Sequence, residues 1–135
     1  MKKENVFLLI ASLGVIPVAF TYGVFQNVFF GIEVNSTEVA NIFRATMGLY
    51  IAMGTFWLVA AFNDKYTVSA LHSVIVFMSG LAIARFVSMA VDGTPNAILV
   101  GYAVIEALIA IAGCSTLKRV SRETSQRQTK VGVYS

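Results

Sequence analysis

The chain has 135 residues, of which 57% are hydrophobic and only 13% charged, and its mean hydropathy is +0.75. That composition leaves too few polar side chains to cover a soluble core, so the chain reads as lipid-embedded. The formal net charge of +3 is small, and Cys114 as the single cysteine excludes an internal disulfide, a CxxC redox pair and a paired-cysteine zinc site. Cys114 reads as a small packing residue.

Four apolar stretches follow one another at residues 6–30, 39–62, 67–90 and 95–117. A helix needs about 20 apolar residues to cross the hydrocarbon core, and the connectors are too short to hold another domain. The expected fold is all-α: a polytopic membrane protein forming an antiparallel four-transmembrane-helix bundle over residues 1–120. Lys2 and Lys3 precede the first span, Lys65 lies between the second and third, and Lys118, Arg119, Arg122, Arg127 and Lys130 follow the fourth. The other two connectors carry no basic residue, and Glu33, Glu38 and Asp92 lie on that side. Positive-inside bias therefore places both termini in the cytoplasm. Two lysines before an apolar run also resemble a signal peptide, but the run is long and no small-x-small site closes it, so the first span is read as uncleaved.

The first span contains Gly14, Pro17, Thr21 and Gly23, with Gln26 and Asn27 near its outer end. Pro17 removes one backbone donor and is expected to kink the helix. In the second span Asn41, Arg44, Gly48 and Thr55 recur at separations of three, four and seven, and so share one helical face on which small residues would let another helix approach. Glu38 sits at the helix start, where unpaired amides favour a carboxylate.

In the third span Arg85, Ser88 and Asp92 form one face near the outer surface. Asp92-Gly93-Thr94-Pro95 reads as a turn from which Pro95 starts the next helix. His72 lies on the other side of the helix, near its cytoplasmic end, and reads as an interfacial or packing residue. Glu106 falls in the middle of the fourth span, roughly 16 Å from Pro95 at about 1.5 Å per residue. Tyr102 and Gly113 share its face, and the Tyr102 hydroxyl is placed to donate to the carboxylate. Residues 121–135 lack apolar periodicity and are rich in Ser, Thr, Gln and basic side chains. They read as a disordered cytoplasmic tail lying near anionic headgroups. Basic residues with no aromatic platform beside them do not indicate nucleic-acid binding.

Arg44, Arg85 and Glu106 are the functional lead, because an ionisable group within a membrane is costly unless paired or hydrated. The candidate polar network is Asn41, Arg44, Arg85, Ser88, Asp92, Tyr102 and Glu106, open to a small anionic or quinone-like ligand. Two classes of function fit it. One is a binding or accessory bundle whose polar centre holds such a molecule or specifies helix packing, alone, with a second copy or with another membrane protein. The other is a proton-coupled transporter or membrane-embedded enzyme in which Glu106 gains and loses a proton. Two arginines against one carboxylate favour the first. The residues name no reaction, catalytic group or cofactor, and no His/Cys/carboxylate cluster has metal-ligand spacing.

The pattern Asn41-x-x-Arg44-x-x-x-Gly48-x-Tyr50, then Gly80-x-x-x-x-Arg85-x-x-Ser88-x-x-x-Asp92-Gly93-x-Pro95, then Glu106, resembles the DUF4345 family of small bacterial membrane proteins, with a more distant likeness to DoxX-like proteins. The resemblance covers about Val6 to Leu117 and excludes the tail. It implies a four-helix membrane domain in a bacterial inner membrane and supplies no substrate, cofactor or catalytic role. DoxX redox chemistry does not carry over to a chain with one cysteine.

The topology is checked by reporter fusions after Gly93 and after Ser135, which are expected on opposite sides of the membrane. Both reporters on one side would defeat it.

Overall fold

The computed structural model describes residues 1–133. Five α-helices follow in order: α1 Lys3–Gly23, α2 Gln26–Phe30, α3 Thr37–Ala61, α4 Thr67–Asp92 and α5 Ala97–Val133, with a 3-10 turn at Asp64–Tyr66 between α3 and α4. There is no strand among the described residues. The four long helices, α1, α3, α4 and α5, are each long and apolar enough to cross a membrane. The molecule is thus an all-α bundle of four membrane-length helices, and its short connectors turn each helix back along the one before it.

Local chemistry sets the ends. The first apolar stretch divides, because α1 stops at Gly23 and the backbone N–H groups of Val24 and Phe25 both return to the Phe20 carbonyl at 3.0 Å. The short α2 then closes on Gly31, whose φ of 66° is the left-handed conformation that glycine adopts without strain. Helix α1 runs through Pro17. The Ser36 hydroxyl caps α3 by accepting from the Val39 N–H at 3.2 Å. The start of α5 is Ala97, not Pro95. Asn96 caps it, accepting from the Leu99 N–H at 3.0 Å while its amide donates to the Phe30 carbonyl at 3.2 Å, which ties α5 to the end of α2.

The bundle is built from two close pairs, α1 with α3 and α4 with α5. Small residues make the first possible. The Ser12 hydroxyl donates to the Gly54 carbonyl at 2.9 Å, and a Cβ on Gly54 would stand 2.7 Å from Cγ1 of both Val15 and Ile16. Without a hydrophobic force between helices in lipid, such close backbone approach is what dispersion and hydrogen bonding require. Bulky side chains bridge the two pairs: Trp57 is fully buried, its indole N–H donates to Ser73 at 2.8 Å, and Phe77 stacks edgewise on Trp57 and Tyr50 at 5.9 and 5.3 Å. Outside this core the usual soluble pattern is inverted. Ile10, Leu13, Val28, Val76, Val91 and Ile111 are exposed, as lipid-facing side chains are.

At the end of the bundle where the chain starts, buried Asn5 donates to Asp64 at 2.9 Å and accepts from Thr67 at 3.3 Å, while Lys2 pairs with Asp64 at 2.6 Å. Lys2, and then Asn5, hold the Asp64 carboxyl below its ordinary value. The contribution of that exposed contact therefore stands at neutral pH and is lost as pH falls through the lowered value.

Two expectations are corrected. The α3 face of Asn41, Arg44, Gly48 and Thr55 does not meet another helix: all four are exposed, and the buried face carries Tyr50, Gly54, Trp57 and Ala61. Aromatic bulk and Gly54 fit the bundle interior better than a polar face that has no partner there. The tail also differs from a disordered one, since α5 continues as helix to Val133. Residues 114–131 contain neither glycine nor proline, and Arg119, Glu123 and Arg127 are spaced so that opposite charges lie one turn apart. The last two tail residues, 134 and 135, lie outside the described residues.

Gly54→Ala is expected to lower stability by about 1 to 3 kcal/mol through overpacking. Gly48→Ala, whose Cβ meets no atom within 4 Å, is expected to leave it unchanged. Thermal unfolding in detergent compares the two.

Candidate functional site

Every long helix sends one side chain to a common point near the bundle centre. These are Tyr22 from α1, Tyr50 from α3, Arg85 from α4 and Glu106 from α5. Glu106 is 5% exposed. Arg85 Nε donates to Glu106 Oε2 at 2.7 Å, and Arg85 Nη2 donates to Oε1 at 3.3 Å. The Tyr50 hydroxyl donates to Oε1 at 3.1 Å, and Tyr22 accepts a second hydrogen bond from Arg85 Nη2. The carboxylate thus accepts three hydrogen bonds, two of them in the forked geometry that makes arginine the preferred partner of a buried carboxylate.

Aromatic rings pack around the pair, and the Arg85 side chain stays 18% exposed. Tyr22 packs on Tyr50 at 5.3 Å and on Phe30 at 5.0 Å, and the guanidinium carbon lies 5.8 Å from the Tyr22 ring centre. Each half of the pair is costly alone in this setting, since a lone charge in hydrocarbon is unfavourable by several kcal/mol on most scales. Together they carry no net charge.

Of the residues singled out in the sequence, Arg85 and Glu106 are brought into contact. Tyr102 is near but does not reach the carboxylate: its hydroxyl donates to Thr21 at 3.2 Å, and Thr21 in turn donates to the Val18 carbonyl at 2.6 Å. Ser88 donates to Asp92 at 2.9 Å in an exposed pair one turn apart, separate from the central cluster. Asn41 and Arg44 are exposed on the outward face of α3 and have no hydrogen-bond or ion-pair partner among the described residues. His72 is also exposed, its Nδ1 donating to the Val68 carbonyl at 2.8 Å. Among the described residues no group of three or more His, Cys, Asp or Glu side chains could hold a metal ion.

Tyr22 and Tyr50 are the members that sequence reasoning did not assign. Tyr50 stands in the motif that ends the Asn41 pattern, but a tyrosine in an apolar span is read by default as packing. Tyr22 carries one usable signal: Ser12, Val15, Ala19 and Tyr22 recur at helical spacing, and all four are buried.

Two cavities flank the cluster. An apolar one of about 190 Å³ is lined by Gly14, Val15, Val18, Tyr50, Met78, Tyr102, Ile105, Glu106 and Ile109. A more open cleft of about 540 Å³ between the ends of α4 and α5 is lined by Leu81, Ala84, Arg85, Ser88, Met89, Asp92, Gly93, Thr94, Pro95 and Leu99.

Fold and site together define a small multi-pass helical protein with an arginine–glutamate pair locked between its helices. A family model described as a domain of unknown function, DUF4345, matches residues 4–117, and the chain belongs to that family. No curated protein and no solved structure gives a match.

Glu106→Gln is expected to cost about 3 to 5 kcal/mol, because it leaves the Arg85 charge buried without its partner. Combining Arg85→Gln with Glu106→Gln should be less damaging than the sum of the single changes, whereas Arg44→Gln with Glu106→Gln should be additive. Additive losses in the Arg85 cycle would refute the coupling.

Proposed function

We propose that this bundle binds a small, uncharged, quinone-like molecule within the bilayer, in the apolar cavity beside Glu106. The observation that carries this reading is the cavity itself: its walls are almost wholly apolar, and Tyr50, Tyr102 and Glu106 are among the residues that line it. Most small-molecule sites are lined predominantly by apolar and aromatic side chains. A dry cavity of about 150 Å³ holds benzene, so about 190 Å³ accommodates one substituted six-membered ring. An aliphatic tail on that ring would leave toward lipid past Ile105, which is exposed.

An anionic ligand has less support. Arg44 stands outside the cluster, Arg85 is neutralised by Glu106, and Asp92 adds a negative charge at the outer cleft. A proton-carrying role for Glu106 is disfavoured by the same pair, since a proton on the carboxylate would weaken two charge-assisted hydrogen bonds to Arg85. The basic residues at Lys2, Lys3 and after Leu117 support placing both termini in the cytoplasm, and the resemblance to a family of bacterial membrane proteins supports an inner-membrane setting.

Gly14 provides the test, because its Cβ would meet no atom within 4 Å while the residue lines the cavity. A short-chain prenylated benzoquinone is expected to raise the melting temperature of the wild-type protein in detergent and to leave Gly14→Leu unshifted, with both proteins equally folded. No shift in either, and no neutral species retained by the wild type in native mass spectrometry, would leave structural pairing as the function of the cluster. An intact Glu106→Gln fold that loses a pH-dependent flux would instead favour transport.

A further inference from the structure

We propose that the pocket between the start of α1 and the extension of α5 binds the headgroup of an anionic phospholipid through its phosphate. The pocket, about 460 Å³, is lined by Lys2, Lys3 and Glu4 from one side and by Arg119, Glu123 and Arg127, with Val120 and Thr124, from the other. Four basic side chains face two acidic ones. Lys2 is engaged by Asp64 at 2.6 Å, whereas Lys3, Arg119 and Arg127 have no hydrogen-bond or ion-pair partner among the described residues. Arg119 is part-buried in the wall, and its guanidinium donors have no partner among the described residues. That is a poor resting state for an arginine and a good one for receiving a phosphate oxygen pair.

Depth selects the lipid over free phosphate. Leu117 is the last residue of the apolar run, and a helix rises about 1.5 Å per residue, so Arg119 lies about 3 Å and Arg127 about 15 Å beyond it if α5 stands along the membrane normal. Each headgroup layer is roughly 5 to 8 Å deep. The floor of the pocket therefore lies at phosphate depth, and its upper wall stands in water. Basic pockets at this level are the usual seat of anionic headgroups. Glu4 and Glu123 oppose a bare phosphate dianion but can accept hydrogen bonds from the free hydroxyls of a phosphodiester headgroup such as phosphatidylglycerol. The helical continuation of α5 past the membrane is what places Arg127 over the pocket, and this proposal is independent of the ligand assigned to the Glu106 cavity.

The test is native mass spectrometry of the full chain in detergent, titrated with phosphatidylglycerol, with phosphatidylcholine of the same acyl chains, and with inorganic phosphate. Phosphatidylglycerol is expected to bind in preference to phosphatidylcholine, and the Arg119→Gln/Arg127→Gln variant to weaken that binding by about tenfold or more, the loss of at least one hydrogen bond to a charged group. Lys118→Gln/Arg122→Gln removes the same charge from residues of the same helix that do not line the pocket, and it is expected to bind as the wild type does. Helicity and melting temperature confirm that both variants are folded. Equal losses in the two variants would overturn the proposal in favour of diffuse attraction, and inorganic phosphate competing at the affinity of the lipid would overturn the lipid assignment.

Discussion

A carboxylate at the centre of a hydrocarbon-facing bundle has to be answered, and the way Glu106 is answered organises the molecule. Arg85 reaches it from the neighbouring helix with two hydrogen bonds, and Tyr50 reaches it from a third helix. Tyr22, on the fourth, holds the far side of the guanidinium. Since each long helix contributes one group, none can slide or rotate without leaving a charge or hydroxyl unsatisfied in a medium that offers no water. The cluster thus acts as a register lock, the best-attested structural use of buried polar groups. Apolar packing between helices in lipid would not specify the register so sharply, because a lipid tail is as good a neighbour as a leucine.

Small residues serve the same end by a different route. Gly54 lets α1 and α3 approach until Ser12 reaches a backbone carbonyl, and that closeness brings Tyr22 and Tyr50 to within 5.3 Å of one another. The second pair, α4 with α5, sets Arg85 against Glu106. Trp57 and Phe77 fill the space between the pairs, so the polar cluster has aromatic bulk on that side. The charges of the pair compensate one another, and an apolar cavity adjoins Glu106 without separating it from Arg85.

The two ends of the bundle differ in character. One end carries Asp92 and the exposed Ser88 contact, with Arg44 on the face of α3 directed away from the core. The other end gathers Lys2, Lys3, Arg119 and Arg127 around one pocket. An uninterrupted helix, in place of a loose tail, gives those charges fixed positions relative to the bundle.

Composition, span length and the placement of basic residues determined the all-α architecture, the number of long helices and the membrane-facing exterior, because each follows from hydrophobic periodicity and from the need to satisfy the backbone within each helix. Arg85 and Glu106 were legible for a related reason: a charge in an apolar run stands out wherever its partner lies. Choosing between Arg44 and Arg85 was beyond the sequence, since both sit at similar depth and only the rotation of α3 turns one outward. The same rotation buries Tyr50 and exposes Gly48. Tyrosine hydroxyls give no comparable signal in a one-dimensional pattern, because a tyrosine in an apolar span looks like packing until a carboxylate is found within 3.1 Å of it. The tertiary structure alone decided which polar groups meet, as their meeting depends on how four helix faces are turned toward one another.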